Sequence, residues 1–87
     1  MKFVAPSPYA DPDLAARELL RIAAGVNPDY DDRIYIEKIN WPMLMDLKAA
    51  PAEYKAGLDL AITRGWLWLH ESGTYVRLTE AGKALLA

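Results

Sequence analysis

The stretch from Gly65 to Ala87, GWLWLHESGTYVRLTEAGKALLA, allows few backbones. Two alternating segments flank Ser72-Gly73. A tight turn there pairs Glu71 with Thr74, His70 with Tyr75, Leu69 with Val76, Trp68 with Arg77 and Leu67 with Leu78. In that register Leu67, Leu69, Val76 and Leu78 share one face, and a slip of one residue would send one strand's apolar set to solvent. The other face carries Trp66, Trp68, His70, Tyr75 and Arg77, and the spacing predicts a cation–π pair between Arg77 and Trp68. Gly65 is placed to end the preceding helix. Thr79 is placed to N-cap a final helix whose apolar residues are Ala81, Leu85 and Leu86.

The rest of the chain reads as helices separated by turn signals. Residues 1 to 10 hold Pro6 and Pro8 among small residues and are expected to run extended as an arm, pinned by Phe3, Val4 and Tyr9. Asp11-Pro12 is an acidic N-cap followed by proline at the first helical position, where its missing N–H costs nothing. Ala15, Leu19, Ile22 and Val26 then fall on one helical face, with Asp13, Arg17, Glu18 and Arg21 opposite, over about four turns ending near Gly25. Asn27-Pro28 opens a polar connector. The run RIYIEKI alternates Ile34 and Ile36 with Tyr35 and Glu37 as in a short strand. The preferred second helix runs from Trp41 to Ala49, with Asn40 as its N-cap, although the spacing of Ile36, Ile39, Met43, Leu44 and Leu47 also allows an earlier start. Pro51 begins a third helix that runs to Arg64. Its inward stripe is Tyr54, Leu58, Ala61 and Ile62, with Gly57 allowing a neighbour to come close.

Composition narrows the function. Eighty-seven residues, about half of them hydrophobic and a quarter charged, make one domain (11–87, behind the arm), in which nearly every large apolar side chain must join a single core. With no cysteine there is no disulfide framework and no thiolate metal site. No apolar run approaches the roughly 20 residues that span a bilayer, and the start lacks a signal-peptide apolar segment, so the expected location is cytoplasmic. The single histidine, His70, has no triad or metal partners, and no glycine-rich phosphate loop or nucleophile constellation occurs. Asp29, Asp31 and Asp32 resemble the start of a calcium loop, but Arg33 occupies the next ligand position and no glycine follows, which makes them a solvated connector. The expectation is therefore a non-enzyme with no cofactor and no metal.

The segment RGWL, a short hairpin and then YVRLTEAGKALL resembles the part shared by bacterial winged helix-turn-helix regulators, the MarR and PadR groups among them, over Leu58 to Leu86. The resemblance implies an α+β, mainly α fold: a three-helix core, a short strand, a C-terminal β-hairpin wing and a short final helix. It also implies that the third helix enters the major groove of duplex DNA and that the wing touches the backbone or minor groove. Carried over by position, the outward face of that helix is Ala52, Glu53, Ala56, Asp59, Leu60 and Thr63, with Lys55 and Arg64 on its flanks.

Two functional readings follow. One is a small DNA-binding transcriptional regulator that uses Lys48, Lys55, Thr63, Arg64 and Arg77. Ten basic residues against twelve acidic leave little phosphate attraction, so a dimer is expected to supply enough contacts. The other is a protein-interaction or dimerisation module in which Ala52, Ala56, Leu60 and Trp68 form a surface that excludes water. Of the three tryptophans, Trp41, Trp66 and Trp68, the last is the expected exposed ring.

Overall fold

A computed structural model describes residues 8–27 and 32–87. It is a mainly helical α+β arrangement around a three-stranded antiparallel sheet. Helix α1 spans Pro12–Gly25, strand β1 Ile34–Tyr35, helix α2 Glu37–Trp41, α3 Pro51–Thr63, β2 Leu67–Leu69, β3 Tyr75–Leu78 and α4 Glu80–Leu86. The order is compatible with a winged helix. Pro8–Ala10 forms one turn of 3-10 helix rather than an extended arm, and the half-buried Tyr9 packs on the core. Phe3, Val4, Asp29 and Asp31 lie outside the described residues.

Helix α1 starts where the sequence places it, with the Asp11 carboxylate accepting from the Asp13 N–H at 2.9 Å. It buries Ala15, Ala16, Leu19, Leu20 and Ala23. Its main partner is α3, and at Gly57 the two backbones come close. A β-carbon built there would lie 2.7 Å from Ala15 Cβ and 3.0 Å from the Ala15 carbonyl carbon. Ala61 of the expected inward stripe is fully buried, and Tyr54, Leu58 and Ile62 pack partly against the core. Burial pushes the Tyr54 phenol above its ordinary pKa.

The second helix departs from the preferred sequence reading. Asn40 is not its N-cap but lies inside it. Ile36 hands the chain directly from sheet to helix: its N–H donates to Thr74 O at 3.0 Å, while its carbonyl accepts from Ile39 N and Asn40 N at 3.0 and 2.8 Å. Pro42 then falls in the helix interior, where it has no N–H to give. The chain widens there into a π-helical turn over Pro42–Asp46, closed by Leu47 N–H on Pro42 O at 3.0 Å. Ile39 and Met43 are fully buried.

In the hairpin the expected register holds: Leu67 faces Leu78, Trp68 faces Arg77 and Leu69 faces Val76. The loop is longer than the two residues expected. Gly73 N–H donates to His70 O at 2.8 Å and His70 N–H to Tyr75 O at 3.1 Å, so Glu71 and Thr74 belong to the loop and do not pair with each other. One extra residue on each side leaves the register unchanged. Gly73 sits at φ +74°, the conformation glycine adopts without steric cost. Strand β1 adds to the far side of β3, pairing Ile34 with Val76 and Tyr35 with Tyr75. Leu67 and Val76 are buried, with Leu69 and Leu78 packed beside them. Thr79 caps α4 by accepting from Gly82 N–H at 3.0 Å, and its hydroxyl lies 3.0 Å from Trp66 O. Ala81 faces solvent instead of the core, and the buried position of α4 is Gly82.

Candidate nucleic-acid interface

The open stripe of α3 consists of Ala52, Lys55, Asp59 and Thr63, all exposed and spaced three or four residues apart. Lys55 therefore sits in the middle of this face and not on its flank. Its ammonium pairs with Asp59 Oδ2 at 3.0 Å, an exposed contact worth a few tenths of a kcal/mol. Its effect on the surface matters more, because it leaves the centre of the stripe electrically neutral. Glu53 is half-buried, and its carboxylate accepts from Ala50 N–H at 2.8 Å, closing the start of α3. Glu53, expected on the outward face, is thus occupied as a helix cap. Ala56 and Leu60 are half-buried, with Leu60 against the core, so they present less apolar surface than the sequence alone implies.

The other nominated cations lie around this helix. Arg64, at its C-terminal end, reaches Asp13 at 3.4 Å and lies over the Trp66 ring at 5.3 Å. Arg17 approaches the same ring at 5.7 Å and holds Asp13 at 2.8 Å. Trp66 is thus half-buried between two guanidinium groups instead of standing free. Arg77 lies on the sheet, 5.0 Å from the Trp68 centroid, which is the cation–π pair the register predicts. Lys48 is exposed in the connector before α3, with a left-handed φ of +60°. Across it, Ala49 N–H donates to Met43 O at 2.9 Å and closes the end of the preceding helix. A side chain in this conformation costs roughly 1 kcal/mol. Lys48→Gly is therefore expected to raise stability by up to about 1 kcal/mol, seen as a melting point roughly 4–8 °C higher. A lower melting point would show that the lysine side chain contributes more than its backbone costs.

Sequence reasoning missed an apolar surface on α2. Trp41 is 62% exposed, more than Trp68 at 44%, and Met45 and Leu47 are also exposed. Trp41 and Met45 border a groove of about 210 Å³ together with Glu37, Asn40 and Leu44. The signal lay in the helical spacing of Trp41 and Met45, hidden by taking Asn40 as a cap. A larger cavity, about 480 Å³, lies between the end of α1, the sheet and α4. Its walls include Ala23, Val26, Ile34, Trp68, Arg77 and Lys83. No cluster of three metal-ligating side chains occurs among the described residues, and none of their helices is long and apolar enough to cross a membrane.

Comparison of the chain with family models, with curated proteins and with solved structures finds no match.

Proposed function

We propose that this chain is a winged-helix domain that binds duplex DNA as a small transcriptional regulator, with α3 offered to the major groove and the 71–74 loop as the tip of the wing. One observation carries this reading. A strand from the α1–α2 connector completes a sheet with the C-terminal hairpin, while α3, seated on α1 through Gly57, keeps one face open along Ala52, Lys55, Asp59 and Thr63. Lys48 and Arg64 lie beyond the two ends of that face, where a docked helix meets phosphates. Because the face is neutral while Lys55 holds Asp59, affinity falls to Lys48 and Arg64, to Lys55 where a phosphate replaces Asp59 as its partner, to Arg77 of the sheet and to a second copy of the domain.

The test is fluorescence anisotropy with labelled duplex across a salt series. Four phosphate contacts per domain give a log–log slope of about −3.6. Lys55→Ala is expected to weaken binding of every duplex alike and to reduce the slope by about one. No anisotropy change at low salt would remove the DNA reading. What would then stand is a dimerisation or protein-interaction module, which the exposed Trp41, Met45 and Leu47 favour.

A further inference from the structure

The sheet has a second face, turned away from the core, and its chemistry differs from that of α3. Four side chains point to it from the strands, Tyr35 from β1, Trp68 from β2 and Tyr75 and Arg77 from β3, and Arg33 just before β1 and His70 just after β2 join them over the Tyr75 ring. They form one connected cluster. His70 stacks on Tyr75 with centroids 4.5 Å apart and planes 17° from parallel. Trp68 stands edge-on to both rings, at 5.7 and 6.3 Å, and Tyr35 edge-on to Tyr75 at 6.1 Å. Arg33 lies 4.7 Å from the Tyr75 centroid and Arg77 5.0 Å from that of Trp68.

Tyr75, at the centre, is buried by its neighbours, while Trp68 is exposed and Tyr35 and His70 are half-exposed around it. None of the six is acidic and none is aliphatic. The carboxylates of Asp32, Glu71 and Glu80 lie in the segments flanking the strands. The 480 Å³ cavity adjoins this face at Trp68 and Arg77 but differs from it in chemistry, since Asp32, Glu80 and the aliphatic Val26, Ile34 and Leu78 line it beside Lys83, so the ring and guanidinium cluster itself is the candidate surface.

Rings and guanidinium groups without aliphatic side chains match a ligand that has flat π faces and a negative backbone. Duplex DNA presents the backbone but hides the faces of its bases. We propose that the outer face of the sheet binds unpaired nucleotides, with bases stacking on Trp68, His70 and Tyr35 and phosphates set beside Arg77. Stacking carries the affinity, since each base stacked on an aromatic side chain stabilises binding whatever its sequence. This places a nucleic-acid site on a surface separate from α3 and does not depend on the duplex reading.

The experiment compares a labelled oligothymidylate with a blunt duplex of matched length, by anisotropy and by tryptophan fluorescence. Oligothymidylate is expected to bind saturably and to quench Trp68. Trp68→Ala is expected to weaken it roughly 5- to 150-fold. Trp68→Phe, which keeps a ring, retains most of the affinity, and Lys55→Ala changes it little. Tyr35→Ala, on the edge strand, makes the same comparison should Trp68→Ala fail to fold. If oligothymidylate does not bind, or folded Trp68→Ala and Tyr35→Ala bind it like the parent, the proposal is overturned and the rings serve only to hold the hairpin. Duplex binding sensitive to Lys55 would stand even then. Conversely, loss of duplex binding alone would leave the sheet site intact.

Discussion

Replacing Gly57 by leucine should cost about 3 kcal/mol, the upper end of the range for overpacking, and lower the melting point by roughly 12–24 °C. Even a methyl group at this position meets Ala15 Cβ at 2.7 Å, and the next two contacts, at 3.0 and 3.1 Å, are to the Ala15 and Ala16 backbone of α1. Those atoms belong to a helix whose Ala15, Ala16, Leu19 and Leu20 are fully buried, so α1 cannot retreat without opening the core. Alanine would gain about 1 kcal/mol in helix propensity over glycine, which makes Gly57→Ala milder than Gly57→Leu but still a loss. The pair can be tested as a swap. Gly57→Ala with Ala15→Gly moves the methyl group from one helix to the other and should recover part of the stability, leaving the backbone contacts uncompensated. Additive losses in the double variant would mean that the two positions do not meet.

Gly82→Ala should be the second large effect, a loss of about 2–3 kcal/mol. Its β-carbon would run into Trp66 O and fall 2.9 Å from Leu78 Cδ1. The side-chain tip can move, but the carbonyl is held. Trp66 O accepts from Thr79 N–H at 3.1 Å and lies 3.0 Å from the Thr79 hydroxyl. Relief therefore comes by lifting α4 off the hairpin, which gives up the packing of Leu85 and Leu86 against the core. Amide exchange should accelerate first in α4 and at Thr79, while the α1–α3 pair keeps its protection closer to the parent's. Uniform acceleration across the molecule would mean that α4 folds as one unit with the core and does not dock onto it.

The two glycines show different limits of sequence reading. Gly57 was legible as a point of close approach, since a glycine on the inward stripe of an amphipathic helix has few other uses. Its partner was not, because nothing local links Ala15 to a residue forty-two positions later. Gly82 stood only within the segment YVRLTEAGKALL that carries the resemblance, and its contact with Trp66 O exists because the helix cap and the strand entry meet in space. Lys55 and Asp59 stand at i and i+4, so their pairing was legible in principle. Reading the helix as a DNA face kept the two residues apart, Lys55 on the flank and Asp59 on the outward face. Trp41 and Met45 escaped notice because the helix start was assigned at Trp41, four residues after Glu37 where it begins.

What the sequence determined by itself was whatever rests on neighbours along the chain. The Asp11 cap, the Gly65 helix end and the Thr79 cap use hydrogen bonds or dihedral angles within a few residues. The hairpin register survived a wrong loop length because alternation in both strands constrains it independently of the turn. The tertiary structure decided the rest. It added β1 to the far side of β3, which turned a hairpin into a sheet with an outer face. On that face it buried Tyr75, a residue with alternation that places it in solvent, under Arg33, Tyr35 and His70. Strand pairing between residues some forty positions apart leaves no periodic trace in either segment. The hairpin register already sets Trp68, His70, Tyr75 and Arg77 on one face, but the arrival of Arg33 and Tyr35 beside them could be recognised only after the chain had folded.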